Sequence, residues 1–409
     1  LATPGPELLK ANADISVHRF GEPPHLYWQA RPRDAFSKWL EHVRSGELLP
    51  GGVDGRTQLR VLLKRLDVPE SSQLLAYSAT SLQSGLILPS NPRAVYFSEE
   101  VYVGFVPGGR LEVAAIDPVL GPVFYLVRID AAGRAEATRS ERCMNCHAGR
   151  ASQGVPGLVA ESVIATPSSG ASLDGFRREV TGHTIPLKQR LGGWHVTGAH
   201  EEGPHLGNLL GEAVDGGYRT VPNPPGGRFS WDRYPARTSD LLAHLVFEHQ
   251  LGFHNLVTLG TYRTRDALAA GNGGVSPGHG RELDEIALRI VRYILFADEA
   301  SLPEGGVRPD PVYRDAFVSR RLAGASGKSL RDLDLVGRLF KHRCSYMIYT
   351  SGFVSMPGEM KRRVISTLES ALRESGGPGE FDYIPAAEKE AIRTILTETG
   401  FWEGRASGQ

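Results

Sequence analysis

The sequence predicts an α+β protein, β-rich in its N-terminal half and mainly α-helical in its C-terminal half. Two patterns carry that expectation. Between 94 and 129, four runs rich in β-branched and aromatic residues follow one another, separated by turn signals such as Pro107-Gly108-Gly109 and Gly121-Pro122. Beyond 240 the apolar residues recur at helical spacing instead. A chain of 409 residues also exceeds what one core usually covers. The expected divisions are 1–70, helical and irregular; 71–230, β-containing; and 231–409, mainly helical.

Taken in order, the opening Leu1-Ala2-Thr3-Pro4-Gly5-Pro6 reads as a processed terminus, and 1–33 as irregular. Asp34 can cap a helix to Val43, with Phe36, Trp39 and Leu40 on one face, and Gln58–Leu66 gives a second. Strands follow at 94–97, 101–106, 111–116 and 123–129, an antiparallel sheet of four or more strands. Ser162–Thr166 and Trp194–Thr197 are further strand candidates. Helices are then expected at 240–254, 283–297, 330–341, 358–372 and 386–399, with a glycine-rich loop at 270–280.

Between the sheet and the helical half lies Cys143-Met144-Asn145-Cys146-His147. Two thiols three positions apart followed by histidine have the spacing of covalent haem attachment, in which the thiols take the vinyl groups and the imidazole takes the iron. Zinc would need a second ligand pair, and the one remaining cysteine, Cys344, stands alone in an apolar stretch that suits a buried thiol. A redox dithiol stays open as an alternative. No second Cys-x-x-Cys occurs, so the expectation is one haem c, bound by Cys143 and Cys146 with His147 as proximal iron ligand.

The far side of the iron is harder to read, because the chain has 13 histidines. His195, His200 and His205 recur at five-residue steps in a glycine-dense segment. His249 shares an apolar helix face with Leu242, Val246 and Phe253, where a histidine must find a partner. His249 and His205 are the two distal-ligand candidates, although a carboxylate or carbonyl is the commoner partner for such a residue. Met347 is a further one, in a segment that otherwise reads as core. Arg134, Arg139, Arg142 and Arg150 could pair with haem propionates or form a solvated face.

Lysine plus arginine and aspartate plus glutamate both total 46, which argues against nucleic acid as a partner. No apolar run approaches the roughly 18 residues of a transmembrane helix.

Residues 143–147 resemble the attachment motif of the c-type cytochromes, and the longer chain is similar to large bacterial single-haem proteins with a Gly-Trp-x-Val-Thr-Gly-x-His stretch (here from Gly193) and a Glu-His-Gln helix (here at Glu248). The resemblance implies covalent haem and an exported, most naturally periplasmic, protein. It does not imply the small all-α cytochrome c fold, because strands precede the motif. A monohaem carrier needs about a hundred residues, one ordinary domain. The excess here suits one-electron transfer within or beside a larger assembly, with a redox protein or membrane complex as partner. The alternatives are a haem oxidoreductase acting on peroxide, a nitrogen oxide or a small organic substrate, and a haem-based gas or redox sensor. Whether the chain is an enzyme is left open at this stage.

Overall fold

The structure is a computed structural model that describes residues 20–44, 49–176, 182–198, 204–373 and 379–403. The proposed processed terminus and His200 lie outside the described residues. The N-terminal half is built on two sheets and the C-terminal half is helical, so the chain is α+β and not a small all-α fold. No helix among the described residues is long and apolar enough to cross a membrane.

Two helices come first, α1 (Ala35–Arg44) and α2 (Gly55–Arg65). Asp34 caps α1 by accepting from the Ser37 amide at 2.8 Å, and Asp54 caps α2 by accepting from the Thr57 amide at 2.7 Å. A six-stranded antiparallel meander follows: β1 (Leu74–Ala76), β2 (Arg93–Phe97), β3 (Val101–Phe105), β4 (Leu111–Asp117), β5 (Gly121–Ile129) and β6 (Ala135–Arg139). The four central strands stand where the β-rich runs predict them. The edge strands β1 and β6 are additions, one very short and the other of Ala-Glu-Ala-Thr-Arg composition.

The meander is covered on both faces. Val101, Val103, Phe105, Leu111, Val113 and Ala115 join the core formed with α1 and α2. The alternate residues, among them Tyr102, Ile116 and Phe124, join a second core with the C-terminal helices. The period of two thus sends one set of side chains to each core.

A smaller four-stranded sheet has the order β10-β9-β7-β8, with β7 (Val163–Ala165), β8 (Ser172–Gly175), β9 (Leu209–Val214) and β10 (Gly217–Pro222). Trp194–Thr197 is not a strand. It makes only isolated bridges, Ala76 to Trp194 and Thr197 to Asp240, because Gly193 turns the chain at a positive φ of 82°.

After the short helix α3 (Met144–His147), the helical half begins with α4 (Leu241–Ala270), capped by Asp240. It runs well past the expected end at 254, and residues 241–255 are buried on every side. Around it stand α5 (Pro277–Ile294), α6 (Pro311–Ser319), α7 (Ser351–Val354), α8 (Gly358–Ala371) and α9 (Ala386–Glu398). Gly260 lets α5 and α8 approach α4, since a Cβ there would lie 3.0 Å from Ile290 and 3.3 Å from Met360. The expected helix at 330–341 is a series of turns. Asp334 accepts from the amides of Val336 and Gly337, and Leu335 has a positive φ of 64°, which no helix continues through.

Candidate functional site

Cys143, Cys146 and His147 fall at i, i+3 and i+4 across a short 3₁₀ turn (Glu141–Cys143) and α3, so they share one side of it. Cys146 is exposed, while Cys143 and His147 are half-buried. All three line a cavity of about 490 Å³ between the meander and α4. Its size lies within the range of cofactor pockets.

The floor of the cavity comes from the meander. Tyr102, Ala114 and Phe124 form one cross-strand row, and Val95, Gly104, Glu112 and Leu126 the next. Gly104 keeps the second row low, because a Cβ there would sit 3.2 Å from the Glu112 carboxylate. Opposite the floor stand Phe247 and Leu251 of α4, with Trp194 and Leu158 at the side. The walls are therefore largely aromatic and aliphatic, with Arg93, Glu112, Arg142 and Glu161 as the charged members.

His147 is held by two reciprocal bonds to Gly157. The imidazole Nδ1 donates to the Gly157 carbonyl at 2.9 Å, and the Gly157 amide donates to the His147 carbonyl at 2.7 Å. With Nδ1 carrying the proton, Nε2 presents a lone pair. Burial lowers the His147 pKa to about 4, which keeps the ring neutral at ordinary pH, the form a metal binds. The Phe124 ring lies 4.2 Å from the imidazole, centroid to centroid.

Gly157 is in turn fixed by α4. Asn255 accepts from the Leu158 amide at 2.7 Å and donates to its carbonyl at 2.8 Å. A Cβ at 157 would meet Ser152 at 2.3 Å and Asn255 at 2.8 Å, so this approach requires glycine. Sequence reasoning missed Gly157 and Asn255; the only local hint is Gly154-Val155-Pro156-Gly157, which reads simply as a loop.

The distal candidates stand elsewhere. His249 bonds His183 through Nδ1 and Ser345 through Nε2, both at 2.8 Å, and is not part of the cavity wall. His205 accepts from the Gly207 amide at 3.1 Å and is also outside the wall. Met347 is buried in the second core. Among the described residues that line the cavity, His147 is the one histidine, and no methionine or lysine joins it.

Of the four arginines, Arg142 lines the cavity. Arg134 pairs with Asp130, Arg139 donates to the carbonyls of Tyr27 and Ala30, and neither it nor Arg150 reaches the wall.

No protein-family model, curated protein or solved structure matches the chain. The site's chemistry has to be read from its own residues. Among the described residues no three His, Cys, Asp or Glu side chains converge to hold a bare metal ion, Cys143, Cys146 and His147 included. A metal at His147 would not find a full set of ligands among the described residues. An apolar-walled cavity with two thiols and a neutral imidazole at its edge is chemically suited to a macrocycle.

Proposed function

We propose that the chain is an exported c-type cytochrome with a single covalent haem c, working by one-electron transfer within or beside a larger redox assembly. Cys143 and Cys146 would hold the macrocycle through thioether bonds, and His147 Nε2 would ligate the iron. One observation carries this reading: the three side chains stand together at the edge of an aromatic-walled cavity, with the other imidazole nitrogen already committed to Gly157.

A haem bound there supplies a one-electron couple and, where a coordination position is free, a place for a small ligand. The chain's own residues orient and enclose. Gly157 fixes the tautomer and plane of His147, and Phe124, Phe247 and Leu251 exclude water. Arg142, at the cavity edge, would be free to pair with a propionate. Neither thiol pKa is held low, as a reactive redox dithiol would need. Export rests on the resemblance alone. A lasting contact with a redox protein or membrane complex fits the chain's length and neutral charge.

A second reading is a haem oxidoreductase acting on peroxide, a nitrogen oxide or a small organic substrate, or a gas or redox sensor. It is favoured by the cavity wall, where Val95, Tyr102, Trp194, Phe247 and Leu251 stand and His147 is the one histidine among the described residues.

The test has two stages. Haem that stays with the denatured protein in acidic organic solvent supports covalent attachment, and release ends the cytochrome reading. The optical spectrum of the reduced protein with and without carbon monoxide then separates the two functions. A low-spin haem indifferent to the gas supports the carrier, and a haem that binds it supports the enzyme or sensor.

A further inference from the structure

We propose that Glu112 is the latch of a strap, residues 79–84, lying over the cavity, and that this latch selects entering ligands by size. The ligand-entry half rests on reading the cavity as a haem pocket; the strap rests on geometry alone.

Ala79, Thr80, Ser81, Leu82 and Ser84 line the same cavity as Cys143 and His147. The strap is anchored at its ends. The Ala79 amide donates to the Gly170 carbonyl at 2.8 Å, and Asn91 donates to the Leu86 carbonyl at 2.8 Å. Between these anchors apolar packing contributes little, since Leu82 is 38% exposed and Leu86 42% exposed. The middle is tied down by polar bonds instead. Ser81 Oγ and Gln83 Nε2 each donate to Glu112 Oε1 at 3.0 Å. Gln83 also clasps the backbone of Arg110, accepting from its amide at 2.7 Å and donating to its carbonyl at 3.0 Å.

Glu112 can hold the strap because the floor holds Glu112. Arg93 donates to Oε2 at 2.9 Å, from the neighbouring part of the same sheet face. Gly104, directly across the strand pair, leaves the space into which the carboxylate folds. Burial pushes the Glu112 carboxyl up, but the Arg93 charge and the bonds from Gln83 and Ser81 outweigh it and hold the group ionised. Bonds to an ionised acceptor are stronger than neutral ones. A strap fastened by a few polar bonds, at the Glu112 carboxylate and the Arg110 backbone, without a packed apolar face, opens as a unit when those bonds are released. A diatomic ligand needs less of that opening than a ring does.

The variant Ser81→Ala with Gln83→Ala, made in the full chain as isolated, removes the ties to Oε1 together with the two Gln83 bonds to the Arg110 backbone and leaves Arg93–Glu112 intact; Ser81→Ala alone isolates the Glu112 tie. Amide exchange across 79–86 is expected to speed up by about tenfold. Imidazole association with the ferric haem should rise by a similar factor and carbon monoxide association with the ferrous haem by clearly less. Leu82→Ala should change none of these rates. Unchanged exchange in the double variant overturns the latch. So does an equal effect of Leu82→Ala, which would mean that packing holds the strap. Equal acceleration of both ligands overturns the size selection. If the double variant does not fold, Ser81→Ala alone is measured, with about a threefold change in exchange expected and no change overturning the latch. If the isolated chain carries no haem, the cytochrome reading fails by itself. The latch is then judged by exchange and by the alkylation rate of Cys143, which should rise in the double variant and overturns it if unchanged.

Discussion

The segment around His147 and the buried helix α4 both present histidines, and they use them in opposite ways. His147 sits on a four-residue helix at a cavity edge, with one ring nitrogen bonded to Gly157 and the other presented. His244, His249 and His254 lie on the part of α4, 241–255, that is buried on all sides, and each is tied into the core. His244 bonds the His195 carbonyl, His249 bonds His183 and Ser345, and His254 bonds the Glu99 carbonyl at 2.7 Å. The helix face that makes His249 look like a ligand in the sequence is the face that packs it. A ligand needs a nitrogen left over, and His249 has both of its nitrogens bonded.

Paired substitutions give the largest expected contrast. His147→Ala should abolish the native haem spectrum, because it removes the proposed iron ligand. His249→Gln and His205→Ala should each leave the spectrum unchanged, with His249→Gln costing stability instead. A spectral change on altering His249 would break the division between the two regions.

Acid should act on both regions, but mainly on the buried helix, which carries more of the shifted histidines. Burial lowers the pKa of His244 and His254 to about 4 and of His249 and His195 to about 3. A histidine whose folded pKa lies below its unfolded value contributes stability that is complete above about 6.5 and lost as pH falls towards the folded value. Each such group contributes about 1.4 kcal/mol per pH unit in that window. Asp240 opposes them, since burial raises its pKa to about 6 and its protonated form is favoured in the fold below that pH. His147 and His183 are shifted down as well and Glu299 is shifted up, so the lowered imidazoles outnumber the raised carboxyls and acid should cost several kcal/mol on balance, against a total stability of about 5–15 kcal/mol. Urea unfolding followed from pH 7 to 5 should show this slope. A flat profile would mean that these rings are hydrated.

The Arg190–Glu248 pair comes next in size. Both side chains are almost fully buried, at 3% and 2% exposure. Arg190→Leu strands the carboxylate and should cost about 3–5 kcal/mol by denaturant titration. Adding Glu248→Leu should recover most of that loss, because an apolar pair of similar volume needs no desolvation of charge. If the double variant is no better than the single, the pair is there for its geometry.

The two regions were not equally legible. The central strands stand out because β-branched and aromatic residues fill them, and the five-residue motif is readable because its spacing is distinctive within a short window. The full length of α4 is obscured by Gly252, Gly260 and the polar residues Asn255, Thr258 and Thr261, which look like surface but are buried. Their partners come from distant strands and loops, and no window of sequence contains them. For the same reason, 330–341 has helical spacing but folds through Asp334 and Leu335 into turns. The cavity follows from where α4 crosses the meander, a tertiary fact that appears in the sequence only as scattered aromatics.

Asn255 is where the comparison can be sharpened furthest, because it belongs to both regions. It lies on α4 at 6% exposure, yet both of its amide bonds go to Leu158, next to the glycine that positions His147. Asn255→Ala leaves a buried amide and carbonyl of Leu158 unpaired, a loss of about 2 kcal/mol. Where that loss appears is the informative part. If the motif segment is a locally opening unit held against a rigid helix, amide exchange should accelerate across 149–158 and stay slow across 241–254. The proposed iron ligand would then be steadied by a single side chain of the buried helix, and the same variant should broaden the haem bands without abolishing them. If exchange accelerates equally in both segments, the loop and the helix unfold together, and the rigidity of α4 is shared with His147.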